Sequence, residues 1–172
     1  MPQIPRIISV DDHVVEPPDL WTSRIPAQYQ DRCPRVERDT AIFHFEGGVF
    51  SYEKGVEGGT PCDWWLYDDL VYPFPKLSAA VGFDELDITP VTFDEIHPAG
   101  WIQKERLVAM DENHVDVSIC FPNVLPRFCG QTFYEREDKE LAMLCVQAYN
   151  DWMIDEWRSE EHTSELQSRE TI

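Results

Sequence analysis

The chain has 172 residues, of which 42% are hydrophobic and 12% aromatic, so it can form a packed core and is not expected to be disordered throughout. Its formal net charge of -19 repels nucleic acid phosphates and anionic membranes, so we expect neither as a partner. Five cysteines without a Cys-x-x-Cys pair, together with the absence of a signal peptide or an apolar membrane span, predict a reduced, cytoplasmic protein.

The first half of the chain predicts a strand followed by a long insertion. Residues 7–10 predict a buried strand that ends in Asp11-Asp12-His13. The insertion, residues 22–100, is proline-rich and aromatic, and a stretch this long with few regular elements is typical of a lid or a binding loop. Within it, residues 41–45 and 49–52 predict a hairpin. The aromatic residues of 64–74 are expected to pack the insertion against the domain, with the lining of a pocket as the alternative.

The second half predicts a helix, a strand and a longer helix. Residues 101–113 predict the first helix, and the apolar run 115–121 predicts the strand. The longer helix is predicted over 135–157, with Glu135 or Asp138 near its positive N-terminal end. Its apolar stripe consists of Leu141, Leu144, Cys145, Ala148 and Trp152. This β-α-β-α order is typical of a parallel α/β fold.

The last residues, 158–172, show no hydrophobic periodicity and have almost no apolar content. The segment 158–168 matches the forward translation of a widely used sequencing adapter. We therefore expect residues 158–172 to be an assembly artefact, with a solvated tail as the alternative. The domain is accordingly expected over residues 1–157.

Asp11 and His13 form the first candidate site. Side chains alternate along an extended chain, so these two are expected on one side of the strand and Asp12 on the other. A carboxylate and an imidazole that leave a strand together make half of a divalent metal site. From this pair alone, the commoner alternative is a buried His13 bonded to the backbone, with Asp11 capping a turn.

Three segments together resemble the amidohydrolase-related family, in the branch of aminocarboxymuconate-semialdehyde decarboxylase. The first is Ile8-Ser-Val-Asp-Asp-His-Val-Val-Glu-Pro-Pro-Asp-Leu-Trp21, which resembles the opening of the family. Residues 106–122 resemble its first barrel helix and second strand, and Asn150-Asp151-Trp152 resembles the element on the next helix. The resemblance spans residues 6–157. It implies an α/β fold, namely the N-terminal part of a (β/α)8 TIM barrel with a long insertion after the first strand.

The resemblance implies a metal-dependent hydrolase or non-oxidative decarboxylase that acts on a small carboxylated or cyclic substrate. Asp11 and His13 take the positions of two ligands to Zn or Mn. The other ligands and the catalytic acid/base residues are expected downstream of this chain, so we expect the fragment alone to be inactive. A homo-oligomer is compatible with the full-length parent. The rival interpretations are a non-enzymatic, acidic α/β binding module and a degenerate enzyme that kept the barrel and lost the metal.

Arg127 follows the second predicted strand, at the end of a barrel where active sites lie. A guanidinium there is expected to bind a substrate carboxylate, with an ordinary ion pair to a nearby acid as an equally weighted alternative. Cys129 has no evident base partner, so we expect an unreactive residue rather than a nucleophile. His44, His97 and His114 are expected to be solvated or capping residues rather than metal ligands.

Overall fold

The structure is a computed structural model that describes residues 5, 7–85, 87–123, 125–127 and 130–157. The predicted artefactual tail and Cys129 lie outside these residues. The strands and helices follow in chain order as β1 (Ile7–Val14), β2 (Arg35–Glu46), β3 (Val49–Lys54), β4 (Thr60–Tyr67), β5 (Leu70–Pro73), α1 (Gln103–Glu112), β6 (Val115–Pro122), α2 (Gln131–Tyr134) and α3 (Lys139–Trp152). Short 3₁₀ turns lie at Ala27–Tyr29, Lys76–Ala79 and Pro98–Gly100, and a π-helical turn lies at Met153–Trp157.

Strands β1 and β6 form a parallel pair, and α1 lies between them in sequence. Parallel neighbours need a crossover connection, which the insertion and α1 provide. The predicted β-α-β-α order and the mixed α/β class are therefore confirmed. The register changes between Ser9, which pairs with Ser118, and Asp12, which pairs with Cys120, so β1 bulges at this point. Bulges of this kind re-aim side chains, and this one lies beside the candidate metal pair.

The expectation that β1 is buried is wrong in the described part of the chain. Ile8 and Val10 are each 63% exposed, and on the partner strand Ile119 is 48% exposed. The physical reason is that these side chains project from the faces of a two-stranded sheet, and the described residues cover those faces only in part. The strand also continues to Val14, so Asp11 and His13 lie within it rather than after it.

The insertion contains a four-stranded antiparallel sheet in the order β3-β2-β4-β5. The predicted hairpin is confirmed as β2 and β3, which pair from Ala41–Lys54 to Glu46–Val49. Gly47 and Gly48 both have positive φ angles, 58° and 82°, which the tight turn requires. The expectation of few further regular elements is wrong, because β4 and β5 extend the sheet.

The main core lies between the insertion and α3. The Trp21 indole N–H donates to the main-chain oxygen of Cys145 over 3.0 Å, and the ring packs edge-on against Trp65 at 5.4 Å. Every residue of the predicted α3 stripe is buried except Leu144, which is partly buried. The α3 helix begins later than predicted, because Asp138 caps it by accepting from the Leu141 N–H over 3.0 Å. No helix in the described part of the chain is long and apolar enough to cross a membrane.

Candidate functional site

Asp11 and His13 lie side by side near the C-terminal end of β1. The Asp11 Oδ1 atom is 3.8 Å from the His13 Nε2 atom. The two side chains are 85% and 51% exposed, so both are accessible to a ligand from solvent. Asp12 has different partners: it accepts from the Ser9 hydroxyl over 2.8 Å and from the hydroxyl of Ser118 on β6. The structure therefore brings together the two residues that the sequence singled out and separates Asp12 from them.

The His13 ring is oriented by the neighbouring strand. Its Nδ1 atom lies 2.9 Å from the main-chain oxygen of Pro122, which can only accept, so Nδ1 carries the proton in this bond. The neutral ring then presents the lone pair of Nε2 towards Asp11. The main chain is also fixed here, because the Arg106 guanidinium donates to the His13 carbonyl over 2.7 Å. The alternative in which His13 is buried and bonded to the backbone is therefore correct only in part. The ring is bonded to the main chain, but it is half exposed.

The two side chains fit one part of a divalent metal site. Two donors bound to tetrahedral zinc at about 2.1 Å are about 3.4 Å apart, which is slightly less than the separation of the two atoms here. The exposed Asp11 carboxylate can close this difference by rotation. Within the described residues, no group of three or more His, Cys, Asp or Glu side chains could hold a metal ion. Asp11 and His13 therefore fit half of such a site.

A cavity of about 410 Å³ opens beside this pair. Its lining consists of Asp11, His13, Tyr72, Ser78, Phe121, Pro122, Asn123 and Arg127. Arg127 thus shares a cavity with the candidate metal pair, and its backbone adopts a left-handed conformation with a φ of 55°. Such a conformation is uncommon for a residue other than glycine and is enriched at functional sites. Arg127 is therefore placed where it could bind a substrate carboxylate, and the choice between that role and an ordinary ion pair stays a prediction.

A second cavity of about 560 Å³, open to solvent and here called the second chamber, lies beside the first and shares four lining residues with it. Its lining consists of His13, Phe50, Tyr52, Tyr72, Pro75, Leu77, Ser78, Ile88 and Asn123. Most of these residues come from the insertion, for which the sequence predicted a lid or a binding loop. The aromatic residues of 64–74 divide between the two predicted roles. Trp64, Trp65 and Phe74 are buried in packing, whereas Tyr72 lines both chambers.

Hydrogen bonds of Glu16 and Asn123 join the ends of β1 and β6 to the part of the insertion that lines the cavity. Glu16 is fully buried, and its carboxylate accepts from the Asn123 main-chain N–H over 2.8 Å. The Asn123 side chain donates in turn to the main-chain oxygen of Ser78 over 2.5 Å. The sequence analysis did not predict Asn123 or Ser78 as site residues. Asn123 could have been predicted from its position just after a strand, because residues there face the active-site end of a barrel.

The other histidines lie in the hairpin, at a 3₁₀ turn and between α1 and β6. His44 pairs with Glu53 across the β2–β3 hairpin at 2.8 Å, and His97 accepts from the Ala99 N–H over 3.2 Å at the start of a 3₁₀ turn. His114 lies between α1 and β6 with a φ of 58°. Burial raises the pKa of the Cys62 thiol to about 12 and also raises the pKa of Cys145. Neither thiol is a nucleophile at neutral pH.

Comparison with known proteins supports the fold. No protein-family model matches the chain, and no curated protein matches it. Among solved structures, the chain is similar to the crystal structure of an amidohydrolase from Mycobacterium avium subsp. paratuberculosis K-10, with a TM-score of 0.51 and 20% sequence identity. The similarity covers 88% of this chain and 38% of that chain, so this chain spans well under half the length of its structural neighbour. At this identity the likeness concerns the fold, and the decarboxylase branch stays a prediction.

Proposed function

We propose that the chain is part of a metal-dependent enzyme of the amidohydrolase type, either a hydrolase or a non-oxidative decarboxylase. The observation that carries the proposal is the Asp11–His13 pair, with 3.8 Å between its donor atoms and with His13 Nδ1 bonded to Pro122. This arrangement leaves a carboxylate oxygen and a ring nitrogen close together and free of the Pro122 bond. An amidohydrolase as structural neighbour is consistent with the same proposal.

In this proposal Asp11 and His13 hold a divalent ion, Zn or Mn. When bound, such an ion polarises a substrate oxygen or lowers the pKa of a water molecule. The chain itself contributes the binding of the substrate. Arg127, in the same cavity, presents a planar guanidinium that suits bidentate binding of a carboxylate, so we propose a small carboxylated or cyclic substrate.

The proposal assigns the remaining ligands and the acid/base residues to further strands of a (β/α)8 barrel. Two features support it: the parallel β1–β6 unit, and the fold likeness that covers 38% of the neighbour's chain. The exposed apolar side chains of β1 and β6 suit strands that are covered on both faces in a parallel barrel. The identity of the metal and the choice between hydrolysis and decarboxylation depend on those further residues.

Isothermal titration of the 172-residue chain with Zn²⁺ and Mn²⁺ tests the proposal. We expect one weak site in the wild type, because two protein ligands bind an ion less tightly than three or four. Asp11→Asn and His13→Ala should each remove that site. His44→Ala is the matched control, since His44 is a partly exposed histidine beside an acid and its loss should leave the site intact. Equal binding by all four proteins, or loss with His44→Ala alone, would contradict the proposal and favour a non-enzymatic binding module.

A further inference from the structure

We propose that the second chamber binds the apolar arm of an elongated, amphipathic carboxylate whose charged head lies against Arg127. This inference rests on the proposed function, because the head occupies the cavity that contains Asp11 and His13. It goes further by assigning the insertion a direct part in choosing the substrate. The relevant side chains come from β3, from β5 and from the segment that follows β5.

The first support is the apolar character of the chamber. Phe50, Tyr72 and Leu77 are 50%, 39% and 56% exposed, and all three line this one recess, with Tyr52 and Ile88 beside them. Large apolar side chains are costly to expose, and their grouping around a concave surface marks a binding site rather than scattered surface residues. A volume of about 560 Å³ exceeds what a single small ring needs, so the chamber suits an extended group.

The second support is that the two chambers are adjacent. His13, Tyr72, Ser78 and Asn123 line both, so a ligand that extends past these residues can occupy the two chambers together. Arg127 lines only the first. In a chain with a net charge of -19, a guanidinium without an ion pair among the described residues is a local attraction for an anion. The charge therefore sets the direction of the ligand, with the carboxylate at Arg127 and the arm under the hairpin.

The third support is that the apolar wall is held in place. Phe50 stacks on Phe43 at 5.2 Å and on Phe45 at 4.4 Å between ring centroids. The hydrogen bond from Asn123 to Ser78 fixes the segment after β5 against the end of β6. A wall that is ordered before binding loses less conformational entropy when a ligand arrives.

The chain offers a matched control for this wall. Phe45 is 57% exposed and stacks on Phe50 in the same hairpin, but it does not line the chamber. Truncation of Phe45 removes a similar apolar area from the surface without removing a contact to the arm. It also tests the competing occupant, a second copy of this chain that docks on the hairpin tip, because such a contact would use Phe45 as well.

The experiment measures the affinity of the full 172-residue chain for butanoate, hexanoate and octanoate by NMR titration, in EDTA so that no metal is bound. Each buried methylene strengthens binding by about fourfold, so we expect octanoate to bind at least about tenfold more tightly than butanoate even with partial burial. This dependence on chain length should be weaker in three variants that each shorten a side chain of the chamber wall: Phe50→Ala, Tyr72→Ala and Leu77→Ala. Phe45→Ala leaves Phe43 stacked on Phe50, so it should preserve the dependence on chain length. Arg127→Gln should weaken all three acids by the same factor and leave the slope unchanged.

Two results would overturn the inference. One is an affinity that does not rise with the chain length of the acid in the wild type, or that rises equally in the wild type and in all three chamber variants. The other is self-association, followed by sedimentation velocity, that both Phe45→Ala and Phe50→Ala abolish without any change in affinity for the acids. Since metal is absent throughout, a failed metal titration leaves this result intact. Conversely, a flat chain-length series leaves the metal proposal standing.

Discussion

The Nδ1 atom of His13 lies 2.9 Å from the main-chain oxygen of Pro122, the last residue of the parallel strand beside it. The bond joins the candidate metal ligand to the end of β6, so strand pairing and ring orientation depend on each other. Second-shell bonds of this kind fix the tautomer and the direction of a ligating imidazole. The orientation of His13 is therefore a property of the β1–β6 pair and does not require a bound ion.

Glu16 is predicted to stabilise the end of the same strand pair. Glu16→Ala removes the buried acceptor of the Asn123 N–H and opens a cavity, so it should cost about 2–3 kcal/mol in the free energy of unfolding. Glu16→Gln keeps an acceptor oxygen and should cost less. Urea denaturation measures both, with the exposed Glu57→Ala as the control. A loss for Glu16→Ala no larger than that for Glu57→Ala would refute the assignment.

Asp138 is predicted to make α3 sensitive to acid. The Leu141 N–H, and then Arg32, lower the pKa of the Asp138 carboxyl in the folded protein. A lowered folded-state pKa means that the stabilisation is fully present above the unfolded-state value of about 3.9 and is lost as the pH falls through the folded-state value. Asp138→Ala should therefore lower the Tm at neutral pH.

The gap in Tm between Asp138→Ala and the wild type should narrow as the pH falls below about 4. Asp138→Asn retains a side chain that can cap the helix, so its Tm should lie between the two. Thermal unfolding followed by circular dichroism over a pH series gives all three values. A gap that stays constant with pH would show that the charge of Asp138 contributes nothing.

The cysteines provide a test of the core. Cys62 and Cys145 are fully buried and burial raises their pKa values, whereas Cys120 is only partly buried. Brief treatment of the native protein with iodoacetamide, followed by peptide mass spectrometry, should label Cys120 well before Cys62 or Cys145. Unfolding in urea should remove the difference. Early labelling of Cys145 in the native protein would contradict the packing of α3 against Trp21.

The sequence predicted the parts of the fold whose patterns are local. The two short strand-like segments 41–45 and 49–52 predicted the hairpin, and the apolar stripe predicted α3. Strand β4 was missed because Cys62, Asp63, Trp64 and Trp65 are buried in succession, so the period of two is absent. The start of α3 was predicted at residue 135, but the helix begins at Lys139 because the Asp138 side chain caps it there.

The candidate site was predictable only where its residues lie close together in sequence. Asp11 and His13 are two positions apart, and a strand keeps such residues on one side. Tyr72 and Ser78 reach the same cavity from about sixty positions further along the chain, through the pairing of β5 with β4 and the bond from Asn123. Sequence periodicity carries no information on such long-range contacts. Glu16 accepts from the Asn123 main-chain N–H, 107 positions further along the chain, so no local pattern predicts its burial.

The most direct test of the account is a long-range ¹⁵N–¹H NMR spectrum of the histidine rings during a titration with Zn²⁺, at about pH 8, where imidazoles are normally neutral. We predict that His13, assigned by its loss in His13→Ala, is protonated at Nδ1 before zinc is added, and that its Nε2 resonance alone among the ring nitrogens shifts on addition. Asp11→Asn should suppress that shift. A His13 ring protonated at Nε2, or a zinc response at His44 or His97 with none at His13, would contradict the assignment of Asp11 and His13 as the metal pair.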